Sequence, residues 1–325
     1  MSKSIKNVWV TDEYILASID SGKWATKWTN GNKKGMFRTT LEEIPCFDPT
    51  LQGNYVEFED GKYQMSQESG RVDTETSKAR LVHKLSMCIA LSQMKIKEGQ
   101  KINLVIGCPS NLCKNQVERQ EYADYIKGDG IIEVSINKKD YVFNINDVLV
   151  LPEGSGIIFR DENYEKYSEE LIGVVGIGGL NMQGTIYMEC DPVDSSIFTL
   201  NSGTDNLYNE IKSALNRMKK DGATNNYSDL QISYKIKYLD DKEKNGLNDE
   251  EIQVIKNIMK KQLDKAFAEM SSKQWNVNGM KLVFTGGGSL LMKSVIEEMG
   301  YEVSEDPVFD DCIGFYEVGE EYYGN

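Results

Sequence analysis

The strongest constraint on the fold is a pattern that occurs twice. ILASIDSGKWATKW (Ile15–Trp28) and LIGVVGIGGLNMQGTIY (Leu171–Tyr187) each run as apolar strand, glycine-bearing turn and second apolar strand. Asp20 and Gly176 fall at equivalent positions, and Gly22 matches Gly178. The two copies lie about half a chain apart, which predicts two similar α/β halves facing each other across a cleft. Successive N–H groups in such a turn form a concave anion site. Each hairpin alone also reads as ordinary strand-turn-strand structure.

A third element narrows the choice. TGGGS (Thr285–Ser289) sits between a buried strand, KLVF, and a helical pattern, LLMKSVIEEM. Three consecutive glycines have little packing value there, and they let another molecule lie flat against the backbone at a helix N-terminus. The sequence contains neither G-x-x-x-x-G-K-[ST] nor G-x-G-x-x-G, so the two ordinary nucleotide motifs do not account for these glycines.

Between these motifs, strands and helices alternate in both halves, so the fold class is α/β. Helical periodicity runs from Thr76 through Met94, and CKNQVERQEYADYIKG reads as a helix closed by Gly128. KINLVIGCPSNL is a buried strand ending in a Pro-Ser-Asn turn, and residues 131–151 alternate as strands. NSGTDNLYNEIKSALNRMKK and EEIQVIKNIMKKQLDKAFAEM are amphipathic helices. The charged stretch after LPEGSGI marks the joint between domains 1–165 and 166–325.

Several chemistries are excluded by what the chain lacks. A net charge of −14 argues against general affinity for nucleic-acid phosphate. His83 is the single histidine and lies in a helical pattern, where a structural role is the ordinary one. Ser–His–Asp, Cys–His and multi-histidine metal sites are thereby set aside. The six cysteines are scattered with no C-x-x-C, as expected of reduced thiols. No apolar run approaches a membrane span, and MSKSIKNVWVTDEY has no signal-peptide core, so a cytoplasmic location is expected.

D-x-G-x-x-x-x-K in DSGKWATK, GIGG in the second hairpin and TGGG near the C-terminus resemble the actin-like ATPase superfamily. Within it, the chain is similar to ParM-type plasmid-segregation actins. IGCPSNLCKNQVERQEYADYIKG and the connector LPEGSGI carry that finer resemblance, and the motifs together span residues 15–290. The resemblance implies an actin-like fold of two α/β domains around a nucleotide cleft, binding ATP or GTP with Mg²⁺.

Carried onto this sequence, the resemblance gives Asp20 the role of holding Mg²⁺ through water, as suits an ion that keeps its waters. Ser21 and Gly22 offer N–H groups to the β-phosphate, Lys27 reaches the β- and γ-phosphates, and Lys23 is an extra cation in the turn. Glu153 orients the attacking water, a task of positioning and charge stabilisation. Gly178, Gly179 and Leu180 face the γ-phosphate, with Asn181 as an added donor. Ser202, Gly203 and Thr204 open a helix that touches ribose or phosphate, or else simply cap it. Gly286, Gly287 and Gly288 flank base and sugar. The departure is Gly176, where the family usually has aspartate.

The function implied is a polymerising nucleotide hydrolase that builds head-to-tail filaments and moves plasmid DNA. DNA is engaged indirectly, through a ParR-like adaptor, with no membrane partner. Two alternatives share the scaffold: a small-molecule kinase, and a nucleotide-gated filament scaffold with little hydrolysis. Gly176 subtracts a candidate base from the first and favours the second.

Overall fold

The computed structural model describes residues 14–46, 53–66, 71–72, 78–97, 99–218 and 227–324. The amino-terminal segment read for a signal sequence, the start of the pattern at Thr76 and the end of the helix at Lys219–Lys220 lie outside them. The chain divides into two compact units, Met1–Asn163 with Asp311–Asn325, and Tyr164–Asp310.

The first unit is built on a sheet whose described strands are β1 (Tyr14–Ser21), β2 (Ala25–Thr29), β3 (Lys34–Arg38), β4 (Thr40–Glu43), β5 (Asn54–Phe58), β6 (Gly61–Met65), β7 (Arg71–Val72), β8 (Lys101–Cys108), β9 (Ile131–Ile136) and β10 (Lys139–Pro152). They lie in the order β3-β2-β1-β8-β10-β9-β5-β6-β4-β7. At the centre, β1, β8 and β10 are parallel, and β1 turns back antiparallel into β2. The central strand β8 is buried from Ile102 to Cys108, which explains its unbroken apolar sequence.

The helix Leu81–Met94 packs Leu85, Ile89 and Leu91 into the core that holds Ala17 and Ile19 of β1. The expected Pro-Ser-Asn turn is a short helix, Ser110–Cys113. The next helix, Gln116–Lys127, starts at Asn115, whose side chain accepts the N–H groups of Val117 and Glu118, and stops at Gly128.

The last segment corrects the expected boundary. Residues 311–325 were assigned by sequence to the second domain, yet Asp311–Asn325 belong to the first unit. The helix Asp310–Tyr323 buries Cys312 and Phe315, and Gly319 packs against Leu16 and Val105. Its apolar face thus finds the β1–β8 surface, where Cys312 Sγ donates to the Ser18 carbonyl across 294 residues of sequence.

The second unit contains β11 (Leu171–Ile177), β12 (Met182–Met188), β13 (Asp191–Pro192), β14 (Phe198–Leu200), β15 (Lys281–Thr285) and β16 (Glu302–Val303). Their order is β13-β12-β11-β15-β16, with β14 also pairing β12. The helix Asp249–Ser272 begins with a reciprocal cap between Asn248 and Glu251. It buries Ile255, Met259, Leu263, Ala266 and Met270 at helical spacing, each large apolar side chain contributing about 1.5–3 kcal/mol. Gln262 is the polar exception in that stripe, and the site explains it.

Candidate functional site

In the first unit, the predicted residues converge at the carboxyl ends of β1, β8 and β10, where open α/β sheets characteristically bind ligands. Hairpin register places Asp20 directly opposite Lys27. Their side chains are 10% and 18% exposed and meet at 2.7 Å, Lys27 Nζ donating to Asp20 Oδ2. Burial acts to lower the Lys27 ammonium, but Asp20, with help from Asp311 and Glu153, outweighs it and holds its pKa above the ordinary value. Gly22 permits the tight turn, since a Cβ there would stand 2.7 Å from the Ala25 carbonyl oxygen.

Glu153 follows β10, and its N–H donates to the Cys108 carbonyl at 2.8 Å. Gly107 keeps the space between the two acids: a Cβ there would lie 3.2 Å from Glu153 Cγ and 3.6 Å from Asp20 Oδ1. Sequence reasoning missed the cation that joins them. Lys78, almost wholly buried, sits 2.7 Å from Glu153 Oε1 and donates to the Ser21 carbonyl at 2.7 Å. The Glu153 contact is a charge contact without hydrogen-bond alignment, so Oε1 accepts no hydrogen bond among the described residues. No motif surrounds Lys78, and sequence offered no signal for it.

His83 is structural, as expected. Its Nδ1 meets Ser21 Oγ at 2.9 Å, and Ser21 Oγ also meets Ser86 Oγ at 2.7 Å. Burial, then the charges of Lys78, Lys23 and Arg80, hold it well below its ordinary value, so it is neutral at pH 7. Asp311 is a third acid near this cluster. Burial and the charge of Asp20 push it up to about 8, against the hydrogen bonds it accepts from Gly154 and Gly156.

The second unit repeats the geometry without the charges. Gly176 pairs with Gln183 across β11 and β12, seven residues apart as Asp20 and Lys27 are. A Cβ on Gly176 would meet Gln183 Cγ at 3.6 Å and Nε2 at 3.9 Å, ordinary contact distances. The amide of Gln183 thus stands beside the position where an acid was expected. In the neighbouring strand, Thr285 pairs with Gly176 and donates to Asp310 Oδ2 at 2.6 Å. Asp310 is fully buried and also accepts from Ser304 Oγ at 2.8 Å, so it anchors β15 rather than supplying a surface charge.

Several expected phosphate and ribose donors have other partners. The Gly178 N–H closes the hairpin turn onto the Asn181 carbonyl at 2.9 Å. The N–H groups of Gly179 and Leu180 make no hydrogen bond among the described residues. Thr204 N–H donates to the Gly178 carbonyl at 3.0 Å, and Asp205 N–H to that of Gly179 at 2.8 Å. Gln262 Nε2 donates to the Gly203 carbonyl at 2.7 Å, which accounts for a buried amide in an apolar stripe. A Cβ on Gly203 would lie 2.4 Å from the Gly179 carbonyl oxygen. Ser202, Gly203 and Thr204 therefore support the hairpin, and the Thr204 amide is not free for a ligand.

The glycine triplet also corrects its expectation of little packing value. Gly286 adopts φ +88, and its N–H donates to the Pro307 carbonyl at 2.7 Å. A Cβ on Gly288 would stand 2.3 Å from Ile177 Cγ2. Gly287 alone of the three has nothing within 4 Å of that position. Two glycines serve the packing of β15 on the hairpin, and the middle one leaves room for a ligand.

Asp20 is a donor set suited to Mg²⁺ held through water and phosphate: one carboxylate, with Lys27 already on one oxygen. Among the described residues, no three His, Cys, Asp or Glu side chains gather to hold a metal by themselves. No helix among them is long and apolar enough to cross a membrane.

Comparison with known proteins accords with this geometry. Residues 18–156 match the family model described as the actin-like proteins' N-terminal domain. The structure of an Alp12 filament is similar at 25% identity and a TM-score of 0.70, covering 96% of this chain and 99% of that one. An archaeal actin homolog is similar at 16% identity and a TM-score of 0.76, covering 94% and 99%. A 15-stranded ParM filament from Clostridium botulinum is similar at 17% identity and a TM-score of 0.69, covering 95% and 99%. Comparison with curated protein sequences returns no match.

Proposed function

We propose that this chain is an actin-like protein of the kind its N-terminal domain match and the similar Alp12 filament structure point to, and that it polymerises with ATP or GTP, hydrolyses it, and moves plasmid DNA through an adaptor. The observation that carries the reading is the cluster of Asp20, Lys27, Lys78 and Glu153 at the ends of three parallel strands. It offers one cation for phosphate, two acids for metal and water, and a buried cation that holds the second acid, in one place.

Ser21 and Gly22 present the hairpin backbone to the β-phosphate, and Lys27 shares its charge between Asp20 and phosphate oxygens. Held through water by Asp20, Mg²⁺ supplies positive charge to the phosphates when bound. Lys23 adds a cation at the same turn. Glu153 accepts a hydrogen bond from the attacking water through the carboxylate oxygen that does not face Lys78. Lys78, 2.7 Å from Oε1, holds that carboxylate in place. Gly179 and Leu180 supply N–H groups to the γ-phosphate, beside the Asn181 amide, while Gly287 leaves room for base and sugar.

Filaments form by head-to-tail contacts that do not close into a ring, as the Alp12 and Clostridium botulinum ParM neighbours form filaments. The charge of −14 fits engagement of DNA through a ParR-like adaptor rather than directly.

The test follows light scattering and phosphate release together after adding magnesium with ATP or GTP. Polymer that forms and then decays as phosphate appears is the expected result; no sedimentable polymer at micromolar protein overturns the reading. Asp20→Ala is expected to weaken magnesium–nucleotide binding, measured by titration of a fluorescent nucleotide. The uncharged Gly176–Gln183 pair favours a second reading, a filament scaffold with little hydrolysis. Stable polymer without phosphate release would select it.

A further inference from the structure

The side chain of Glu153 stands on a turn that a distant part of the chain holds in place. Asp311 accepts the Gly154 N–H through both oxygens, at 2.9 Å each, and the Gly156 N–H through Oδ1 at 3.0 Å. Gly154 has φ +84, a left-handed turn suited to glycine. The same helix touches this loop again. A Cβ on Gly314 would lie 2.0 Å from the Gly156 carbonyl oxygen, so only glycine lets the two backbones close. On the other side, Glu153 N–H donates to Cys108 O, and Ser110 Oγ donates to Glu153 O at 3.0 Å.

Asp311 lies in the first turn of its own helix, where a carboxylate ordinarily satisfies that helix's N–H groups. Here it faces the loop behind Glu153 instead. Two N–H groups gathered on one carboxyl form a directional clamp. Packing by Phe315 and Gly314 would seat the helix without it; the carboxyl adds the precise backbone setting of residues 154–156.

We propose that Asp311 is a positioning residue for Glu153: through the amides of Gly154 and Gly156 it sets where the Glu153 carboxylate stands. Asp311 itself touches no nucleotide. The inference rests on the role given to Glu153 above. A displacement of about 1 Å at a reacting group costs on the order of a hundredfold in rate, and the clamp acts at that scale.

The experiment compares single-turnover phosphate release and nucleotide affinity in Asp311→Ala, Asp311→Glu and Asp311→Asn, each alone and with Glu153→Gln. Asp311→Ala removes the acceptor and Asp311→Glu displaces it; both are expected to slow release by about tenfold to a hundredfold with affinity unchanged. Asp311→Asn keeps an oxygen at the Oδ1 position shared by both amides and is expected to retain most of the rate. In the Glu153→Gln background, none of the three should slow the residual rate further. If Asp311→Ala does not fold, Asp311→Glu carries the comparison. Wild-type release in both disruptive variants, or an equal loss with and without Glu153, overturns the proposal. Should Glu153→Gln alone release phosphate at the wild-type rate, the role of Glu153 fails instead.

Discussion

Replacing Lys78 with methionine keeps the buried stem and removes the ammonium. The side chains of Lys78 and Glu153 are 2% and 16% exposed, so little water reaches the acid left behind. Breaking a buried ion pair from one side costs about 3–5 kcal/mol. The lost bond to the Ser21 carbonyl adds about 1 kcal/mol. Together these put the destabilisation of Lys78→Met at about 4–6 kcal/mol.

A second substitution identifies the cause. Glu153→Gln removes the stranded charge, so in that background Lys78→Met should cost about 2–3 kcal/mol less. Urea unfolding reports it through Trp24 and Trp28, which both lie in the first unit. A loss under about 1 kcal/mol, or one equal with and without Glu153→Gln, would refute the counter-ion role of Lys78.

Gly203→Ala forces a Cβ toward the Gly179 carbonyl and should destabilise the second unit by about 1–3 kcal/mol, seen in Trp275 fluorescence; wild-type stability would count against the hairpin support. Gly176→Asp fits the available space and should fold normally while raising magnesium-dependent phosphate release; a slower rate would show that the amide of Gln183 is the better partner. Asp311, pushed up to about 8, stabilises the free protein fully below the ordinary carboxylate range and loses that contribution as pH rises through about 8. Unfolding free energy should therefore fall from pH 6 to pH 9, and Asp311→Asn should flatten the slope.

What the sequence made legible was local. The Asp20–Lys27 pair could be anticipated because seven residues around a hairpin return the chain to the facing strand. Glu153 was visible only through the resemblance of its connector, LPEGSGI, to a known family, and the glycine motifs announced the turns. Lys78 and Asp311 carried no such signal, since each reaches its partners across a large sequence separation with no pattern around it. Gly286 and Gly288 were misjudged for a related reason. The atoms that exclude a side chain there belong to Ile177 and Thr204, on other elements. Gly203 and Thr204 began a helix as expected, but that helix start is used to hold the turn between β11 and β12.

The return of Asp311 to the Glu153 loop also bears on how the protein is made. The two ends of that clamp are separated by 157 residues, with the whole second unit between them. During synthesis, the ribosome delivers Glu153 and its strands long before the segment that seats their loop. The first unit can therefore collapse around its sheet early, yet its candidate water-positioning acid gains its final setting only after the second unit has been made and Asp311 has emerged.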